Sequence, residues 1–228
     1  MSIKLVVFDI AGTTIQDEIG VMNAFRETLK SYGYEVPIDE VALVMGYKKI
    51  DAIRILLKNA PDQSKITEEL INEIHNDFVK HMISFYSDSA EIQVFPHTEE
   101  TFKKLHEQCI KVGLNTGFTR AIADTIINRL QWQEKGLIDY LIASDEVQDG
   151  RPHPYMIQKI MSEFGITNSS EVAKVGDTEV DINEGHNAGC KYIIGVTTGS
   201  FTREALEPYN PTHIIDNIAE VLTIINEQ

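Results

Sequence analysis

The sequence predicts an α/β fold in which a doubly wound parallel sheet carries an inserted α-helical cap. Two observations predict it. Short runs rich in β-branched residues alternate with amphipathic segments of helical period along most of the chain, a pattern typical of a parallel sheet covered by helices. One region near the N-terminus breaks the alternation, because helical segments follow one another there without a strand between them.

The first predicted strand covers residues 4–8 and ends at Asp9. A short apolar run followed by a glycine turn is typical of a buried parallel strand. Five more strands are predicted at residues 111–114, 140–143, 172–175, 192–196 and 213–215. Helices are predicted at residues 99–108, 120–130, 154–164, 181–188 and 218–226. In such sheets the functional site lies beyond the carboxyl ends of the strands, where the strand order reverses.

The region that breaks the alternation has predicted helices at residues 21–32, 38–44, 49–59 and 67–86. Four helices exceed what a single crossover between two strands needs. We therefore assign residues 17–91 to a helical cap domain, and residues 1–16 and 92–228 to the core domain, with linkers at residues 15–20 and 87–95. The alternative is that these helices pack on the sheet as part of one domain.

The bulk composition narrows the function. A chain of 228 residues with a net charge of -15 repels nucleic-acid phosphate and anionic membranes, so we exclude both as partners. The N-terminal apolar run is too short for a signal peptide or a membrane span. Cys109 and Cys190 form no CxxC pair, which fits a reducing compartment. We expect a cytoplasmic protein.

The segment after the first strand contains Asp9, Ala11, Gly12 and Thr13. A carboxylate at a strand end can attack phosphorus while a metal ion holds the phosphoryl oxygens. The backbone N–H groups of the turn can receive an anion, and Gly12 allows it to approach closely. The alternative is a strand-end aspartate that only stabilises a turn.

Three later strand ends carry matching chemistry. Thr116 and Gly117 can hold phosphoryl oxygens, and the guanidinium of Arg151 can neutralise developing charge. Asp177 and Asp181 supply the hard oxygen ligands that magnesium prefers. Each short motif alone is a common turn sequence. Together, in this order and each after a predicted strand, the four segments form a specific pattern.

This pattern resembles the haloacid dehalogenase superfamily of phosphotransferases and hydrolases, and the resemblance covers essentially the whole chain. It implies that Asp9 is the nucleophile and a magnesium ligand, with Asp177 and the backbone carbonyl of Ala11 as further ligands. It also implies that Asp181 either binds the metal through water or orients the residue at position 151.

The same resemblance implies that Thr116 binds a phosphoryl oxygen and that Arg151 takes the place usually held by a lysine. A dehalogenase is a weaker alternative, because dehalogenation needs no magnesium and leaves Asp177 without a role.

Ala11 departs from the superfamily pattern. Most of its phosphatases have a second aspartate two residues after the nucleophile, which protonates the leaving oxygen, and a methyl group cannot do this. The phosphonatase-like group, which includes phosphonoacetaldehyde hydrolase, also lacks that aspartate. Residues 9–14, 116–120 and 150–156 look like that group. The alternative that Ala11 leaves open is a family member with poor catalysis that only binds a phosphorylated ligand.

Residues 45–51 look like the Schiff-base segment of the phosphonatase-like group, with Met45 at its start and Lys49 at the lysine position. An iminium between Lys49 and an aldehyde would accept the electrons of a breaking P–C bond. The group's histidine three residues after the lysine is Ala52 here, and His75 or His81 could substitute. The alternative is that Lys49 belongs to the solvated start of a cap helix.

The sequence thus predicts a magnesium-dependent hydrolase of a small-molecule phosphonate or phosphate. It leaves open whether a P–C or a P–O bond breaks, and whether the cap joins two copies in a homodimer. The predicted catalytic residues are Asp9, Lys49, Thr116 and Arg151. The predicted substrate-binding residues are Gly12, Thr13, Met45 and Gly117. The predicted metal ligands are Asp9, Ala11, Asp177 and Asp181.

Overall fold

Six strands form one parallel sheet in the computed structural model, which describes residues 2–16, 18–88 and 92–226. The strands are β1 (Leu5–Phe8), β2 (Lys111–Thr116), β3 (Tyr140–Ala143), β4 (Val172–Gly176), β5 (Tyr192–Val196) and β6 (His213–Ile215). Their spatial order is β3-β2-β1-β4-β5-β6, and every pairing is parallel. This confirms the predicted doubly wound sheet, whose strand order reverses beside β1.

The α-helices are α1 (Glu18–Ser31), α2 (Ile38–Ala42), α3 (Lys49–Leu57), α4 (Glu68–Asp88), α5 (Thr98–Glu107), α6 (Arg120–Leu130), α7 (Tyr155–Glu163), α8 (Glu179–Ala188), α9 (Arg203–Leu206) and α10 (Val221–Ile224). Helices α1–α4 lie between β1 and β2, as predicted for the cap. The short α9 was not predicted.

Both faces of the sheet are covered. Along β1, Val6 and Phe8 belong to the large hydrophobic cluster that includes α5 and α6, while Leu5 and Val7 belong to the cluster that includes α7. All four side chains are fully buried. Burial on both faces explains why this strand is continuously apolar instead of alternating.

The helices of the cap pack on one another and on the core. The Phe25 and Phe78 rings stack with centroids 4.3 Å apart and join α1 to α4. The C-terminal part of α4 contacts α6 of the core, where the Arg129 guanidinium donates a hydrogen bond to the carbonyl of Tyr86. The cap is therefore tied to the core along α4 as well as through its connections.

Several predicted boundaries differ from the structure by a few residues. The predicted linkers at residues 15–20 and 87–95 overlap the first turn of α1 and the last residues of α4. Helix α8 begins at Glu179, two residues before the prediction, because the Thr178 hydroxyl and the Asp181 carboxylate cap its first turn. Residues 17 and 89–91 lie outside the described residues, so the cap limits of 17 and 91 stay a proposal. Within the described ranges, no helix is both long and apolar enough to span a membrane.

Candidate active site

The loops after β1, β2, β3 and β4 meet beneath residues 45–49 of the cap and enclose a small cavity. Its lining residues are Asp9, Ala11, Met45, Gly46, Lys49, Thr116, Gly117, Phe118, Arg151, Asp177 and Thr178. Eight of the predicted site residues are among them. The other three, Gly12, Thr13 and Asp181, lie behind this lining.

Asp9 and Arg151 form the centre of the site. Arg151 Nη1 donates to Asp9 Oδ1 at 2.6 Å, and both side chains are almost fully buried. Arg151 Nη2 is held by the backbone oxygen of Asn115 at 2.7 Å and by its side-chain oxygen at 2.6 Å. Burial raises the pKa of Asp9, and the positive charge of Arg151 opposes this rise. The guanidinium thus favours the ionised carboxylate that a nucleophile requires.

Asp181 lies beneath Arg151. Its Oδ1 is 3.0 Å from Arg151 Nη1 and 2.9 Å from Lys174 Nζ, and its Oδ2 accepts from the Thr178 hydroxyl at 2.6 Å. Although burial acts in the opposite direction, Arg151 and Lys174 hold the pKa of Asp181 below its usual value. Two roles were implied for Asp181, binding the metal through water and orienting Arg151. These contacts support the second role.

Three residues of this cluster, Asn115, Lys174 and Glu184, are not among the predicted site residues. Lys174 Nζ lies 2.7 Å from Asn115 Oδ1 and 3.4 Å from Glu184 Oε2, and Glu184 Oε2 lies 3.2 Å from Arg151 Nε. Lys174 and Glu184 are completely buried. The sequence feature that could have indicated this cluster is Lys174, a lysine inside an otherwise apolar strand. Burial disfavours the charged guanidinium, but the carboxylates around it raise the pKa of Arg151 above its ordinary value.

Asp177 lies against the turn that follows β1. Thr13 Oγ1 donates to Asp177 Oδ1 at 3.1 Å, and the Ser200 N–H donates to Asp177 Oδ2 at 2.8 Å. Gly12 has a φ of 89°, and a Cβ there would lie 2.5 Å from Asp177 Oδ2. Only glycine therefore permits this approach. Thr13 contacts Asp177 through this hydrogen bond, and its binding of substrate stays a prediction.

The donors predicted for magnesium fit that ion. Asp9, Ala11 and Asp177 line the same cavity, and together they offer two carboxylates and a backbone carbonyl, which are hard oxygen donors. Across residues 2–16, 18–88 and 92–226, no group of three His, Cys, Asp or Glu side chains forms a metal site. The predicted set has only two such side chains once Asp181 is engaged with Arg151.

Lys49 enters the cavity from the first turn of α3. It is only 3% exposed, which excludes the solvated alternative, and its Nζ donates to the Met45 carbonyl at 2.5 Å. Burial lowers the pKa of Lys49 to about 8, although the negative charge of Asp9 acts in the opposite direction. Neighbouring Lys48 points elsewhere, and its Nζ lies 3.4 Å from the carbonyl of Val147.

No histidine is among the described residues that line the cavity. Ala52 is fully buried in α3. Of the two suggested substitutes, His81 lies 3.6 Å from Glu27, outside the lining. His75 is half-buried on α4, where burial lowers its pKa, and it is also absent from the lining.

Glycines allow the cap to approach the core. A Cβ at Gly46 would lie 2.2 Å from Thr178 Oγ1, and a Cβ at Gly117 would lie 2.4 Å from the Tyr47 carbonyl. The Lys49 N–H donates to the Gly117 carbonyl at 3.2 Å. These contacts place the start of α3 directly over the carboxyl ends of the strands.

The parallel sheet and the helical cap define an α/β protein, with a buried aspartate beneath the cap at the end of β1. Residues 6–195 match the family described as haloacid dehalogenase-like hydrolase. The chain belongs to that family.

Two relatives illustrate the similarity. The phosphonoacetaldehyde hydrolase of Bacillus cereus (strain B4264) is 30% identical over 96% of this chain and 86% of its own length. The bifunctional phosphonoacetaldehyde hydrolase/aminoethylphosphonate transaminase of Clostridioides difficile (strain 630) is 34% identical over 90% of this chain. The match covers 34% of that longer protein.

Solved structures agree with the fold. A phosphonoacetaldehyde hydrolase-like protein from Oleispira antarctica has a TM-score of 0.86 and 27% identity, with 99% of this chain and 92% of that chain covered. A haloacid dehalogenase-like hydrolase from Bacteroides fragilis has a TM-score of 0.81 and 21% identity, with 96% and 99% covered. The second similarity supports the fold alone.

Proposed function

We propose that the protein is a magnesium-dependent phosphonatase-like hydrolase that breaks the P–C bond of phosphonoacetaldehyde or a closely similar small phosphonate. The observation that carries this proposal is the position of the Lys49 amine. It is buried in the same cavity as the Asp9 carboxylate, and its pKa is lowered to about 8. An amine must be neutral to attack an aldehyde, and this one is partly neutral at physiological pH.

The chemistry starts at Lys49. The amine nitrogen bonds to the aldehyde carbon, one proton is taken up and water leaves, which gives an iminium with one N–H. An Asp9 carboxylate oxygen then bonds to phosphorus, while the electrons of the P–C bond form a C=C bond and neutralise the nitrogen. Water releases phosphate from Asp9. The enamine takes up a proton and is hydrolysed to acetaldehyde, which frees Lys49.

This route explains Ala11. The leaving group departs as an enamine carbon, so no acid has to protonate a leaving oxygen. Thr116 and Gly117 are proposed to hold phosphoryl oxygens, while Arg151 neutralises their charge. Asp9, Asp177 and the Ala11 carbonyl would hold magnesium, which when bound screens the phosphonate charge from the attacking carboxylate. The free thiols of Cys109 and Cys190 support a cytoplasmic location.

Reductive trapping tests the proposal. Borohydride added with phosphonoacetaldehyde should fix a carbon adduct on Lys49, which mass spectrometry of peptides would locate. Lys48→Met is the matched control, because Lys48 lies next in sequence but outside the cavity lining. This variant should still be trapped, and Lys49→Met should not.

A second substitution separates the two halves of the reaction. Asp9→Asn should lose phosphate release while still forming the Lys49 adduct, because the carboxylate attacks only after condensation. If the wild-type enzyme forms no Lys49 adduct but hydrolyses phosphate esters, the phosphatase alternative is established instead. If neither adduct nor turnover appears with magnesium, the chain is a binding member without catalysis.

A further inference from the structure

Three separate elements meet at the Lys49 amine. Its Nζ lies 5.1 Å from the ring centroid of Phe118, in the loop after β2, and 5.6 Å from that of Phe25 on α1. The Met45 carbonyl, just before α3, accepts its hydrogen bond at 2.5 Å. Both rings are only 1% exposed, so water does not screen their contact with the amine.

The two buried lysines of the site differ in their partners. Lys174 is paired with Asp181 at 2.9 Å and with Glu184 at 3.4 Å. Within the described part of the chain, no carboxylate lies within ion-pair distance of Lys49 Nζ, and its neighbours are two ring faces and a carbonyl dipole. An aromatic face attracts a cation within about 6 Å, and the attraction strengthens when the pair is desolvated.

We propose that the Phe25 and Phe118 rings, together with the Met45 carbonyl, form a cation cage that stabilises the iminium on Lys49. The inference rests on the proposed function, since it concerns the intermediate of that reaction. A protonated imine keeps one N–H, which matches the single carbonyl acceptor at Met45. The positive charge lies over the rings as long as this N–H is kept, so the cage favours the protonated iminium, which is the electron acceptor, over the neutral imine.

The cage has a distinct effect on each step. Condensation with uptake of one proton creates a cation on nitrogen, so the rings favour the iminium over the neutral amine and aldehyde. P–C cleavage then moves an electron pair toward that nitrogen and removes the charge, so the rings give no help to that step. Weakening the cage should therefore raise the substrate concentration that the enzyme needs, and the loss should fall on KM rather than on kcat.

Fluorinated phenylalanines at position 118 test the cage, since fluorine withdraws electrons from the ring face with little change in size. Acetaldehyde is the probe, because it forms the iminium but has no P–C bond to break. Borohydride trapping over a range of acetaldehyde concentrations measures the half-saturating concentration at Lys49. That concentration should rise with each fluorine and reach about tenfold for the trifluoro ring.

The same series at Phe102 is the matched control. This ring is equally buried but packs on Phe8 and Trp132, with centroids 5.1 Å and 5.4 Å away. Its fluorination should leave trapping at Lys49 unchanged. If the Phe118 series traps acetaldehyde with the same half-saturation as wild type, the cage is overturned and the proposed function stands. If wild type itself forms no adduct on Lys49, the proposed function fails and the cage with it.

Discussion

Two lysines show how surroundings decide what a buried charge does. Lys174 sits between two carboxylates and an amide oxygen, so its charge is compensated. Lys49 is surrounded by rings and a carbonyl, and its pKa falls to about 8 through burial. A buried amine without a carboxylate partner among the described residues costs stability, and Lys49 is such an amine inside the candidate active site.

The first prediction is that Lys49→Met stabilises the protein at neutral pH. The unfolded amine titrates near 10.5 and the folded one near 8, so the unfolded state binds more protons between these values. The free energy of unfolding of the wild type should therefore rise with pH across that window, and the full cost of burying the charged amine should apply below pH 8. The pH-dependent part of the stability that Lys49→Met gains is at most about 3 kcal/mol.

Urea unfolding of both proteins between pH 7 and pH 10 measures the effect. The difference between wild type and Lys49→Met should shrink as the pH rises. Lys48→Met serves as the control and should show no such trend, since the Lys48 amine lies against backbone carbonyls at the surface. A constant difference across the range would show that Lys49 keeps an ordinary pKa in the folded protein.

The second prediction concerns the buried charge cluster. Lys174→Met should destabilise the protein by about 3–5 kcal/mol, because it leaves the Asp181 and Glu184 carboxylates with Arg151 as their remaining cation. Adding Glu184→Gln to that variant should recover part of the loss, since it removes the excess negative charge.

A double-mutant cycle by urea unfolding measures this coupling. Lys80→Met is the control, because its ion pair with Asp77 is exposed and should contribute less than about 1 kcal/mol. Additive effects of the two buried substitutions would show that Lys174 and Glu184 do not act together.

The sequence predicts single residues well where chemistry and position coincide. Asp9, Thr116 and Asp177 could be placed because each follows an apolar run. Lys174 and Glu184 could not, because their pairing requires a strand and a helix distant along the chain from Arg151 to meet. The contact of Thr13 with Asp177 likewise depends on the turn at Gly12, which residue types alone do not specify.

At the level of elements, the seam between cap and core depends on close backbone approach. Residues 46–49 lie over the loops after three strands, and glycines occupy the contact points on both sides. The sequence predicted the helices of the cap but not this seam, since periodicity identifies a helix without showing what lies opposite it. Helix ends were also missed by a few residues, because caps such as Thr178 extend a helix beyond its apolar pattern.

The third prediction is that Gly46→Ala loosens the seam without unfolding the cap. The new Cβ would meet Thr178 Oγ1 at 2.2 Å and Val180 Cγ2 at 2.4 Å, so the cap must move away. Such overpacking typically costs about 1–3 kcal/mol. Hydrogen exchange of the Lys49 amide, which bonds to the Gly117 carbonyl, should become faster by a matching factor.

Gly33→Ala provides the control for this measurement. Its Cβ would meet nothing within 4 Å, but its φ of 87° makes alanine strained. Gly33→Ala should lower global stability, but the Lys49 amide should stay as protected from hydrogen exchange, relative to the rest of the cap, as in the wild type. Equal protection of that amide in Gly46→Ala and wild type would mean that the seam adapts without opening.

Over the whole molecule, the net charge of -15 contrasts with a site that concentrates cations. The buried cations are Arg151, Lys174 and Lys49, and Arg151 and Lys174 form ion pairs with the carboxylates of Asp9, Asp181 and Glu184. These cations therefore compensate buried negative charge, and the field in the site is not positive overall. The total charge can be counted from the residues, but only the fold shows where the buried charges lie.

The closed cap leaves little room for a substrate. The cavity volume is about 20 Å³, which is room for about one water molecule. The proposed substrate, a phosphonate with two carbons, is several times larger, so we expect the cap to move away from the core when it binds. Such a motion would separate the Lys49 amine from Asp9 and bring them together again around the substrate.

The fourth prediction follows from that motion. A disulfide between Lys48→Cys and Gly150→Cys should lock the cap shut, since the Lys48 Cβ lies 2.7 Å from a Cβ built at Gly150 and a small shift reaches disulfide geometry. A Cys109→Ser background removes the exposed native thiol. The oxidised protein should lose acetaldehyde trapping at Lys49, and a reductant should restore it. Trapping that is equally fast in the oxidised and reduced proteins would show that small aldehydes reach Lys49 without movement of the cap.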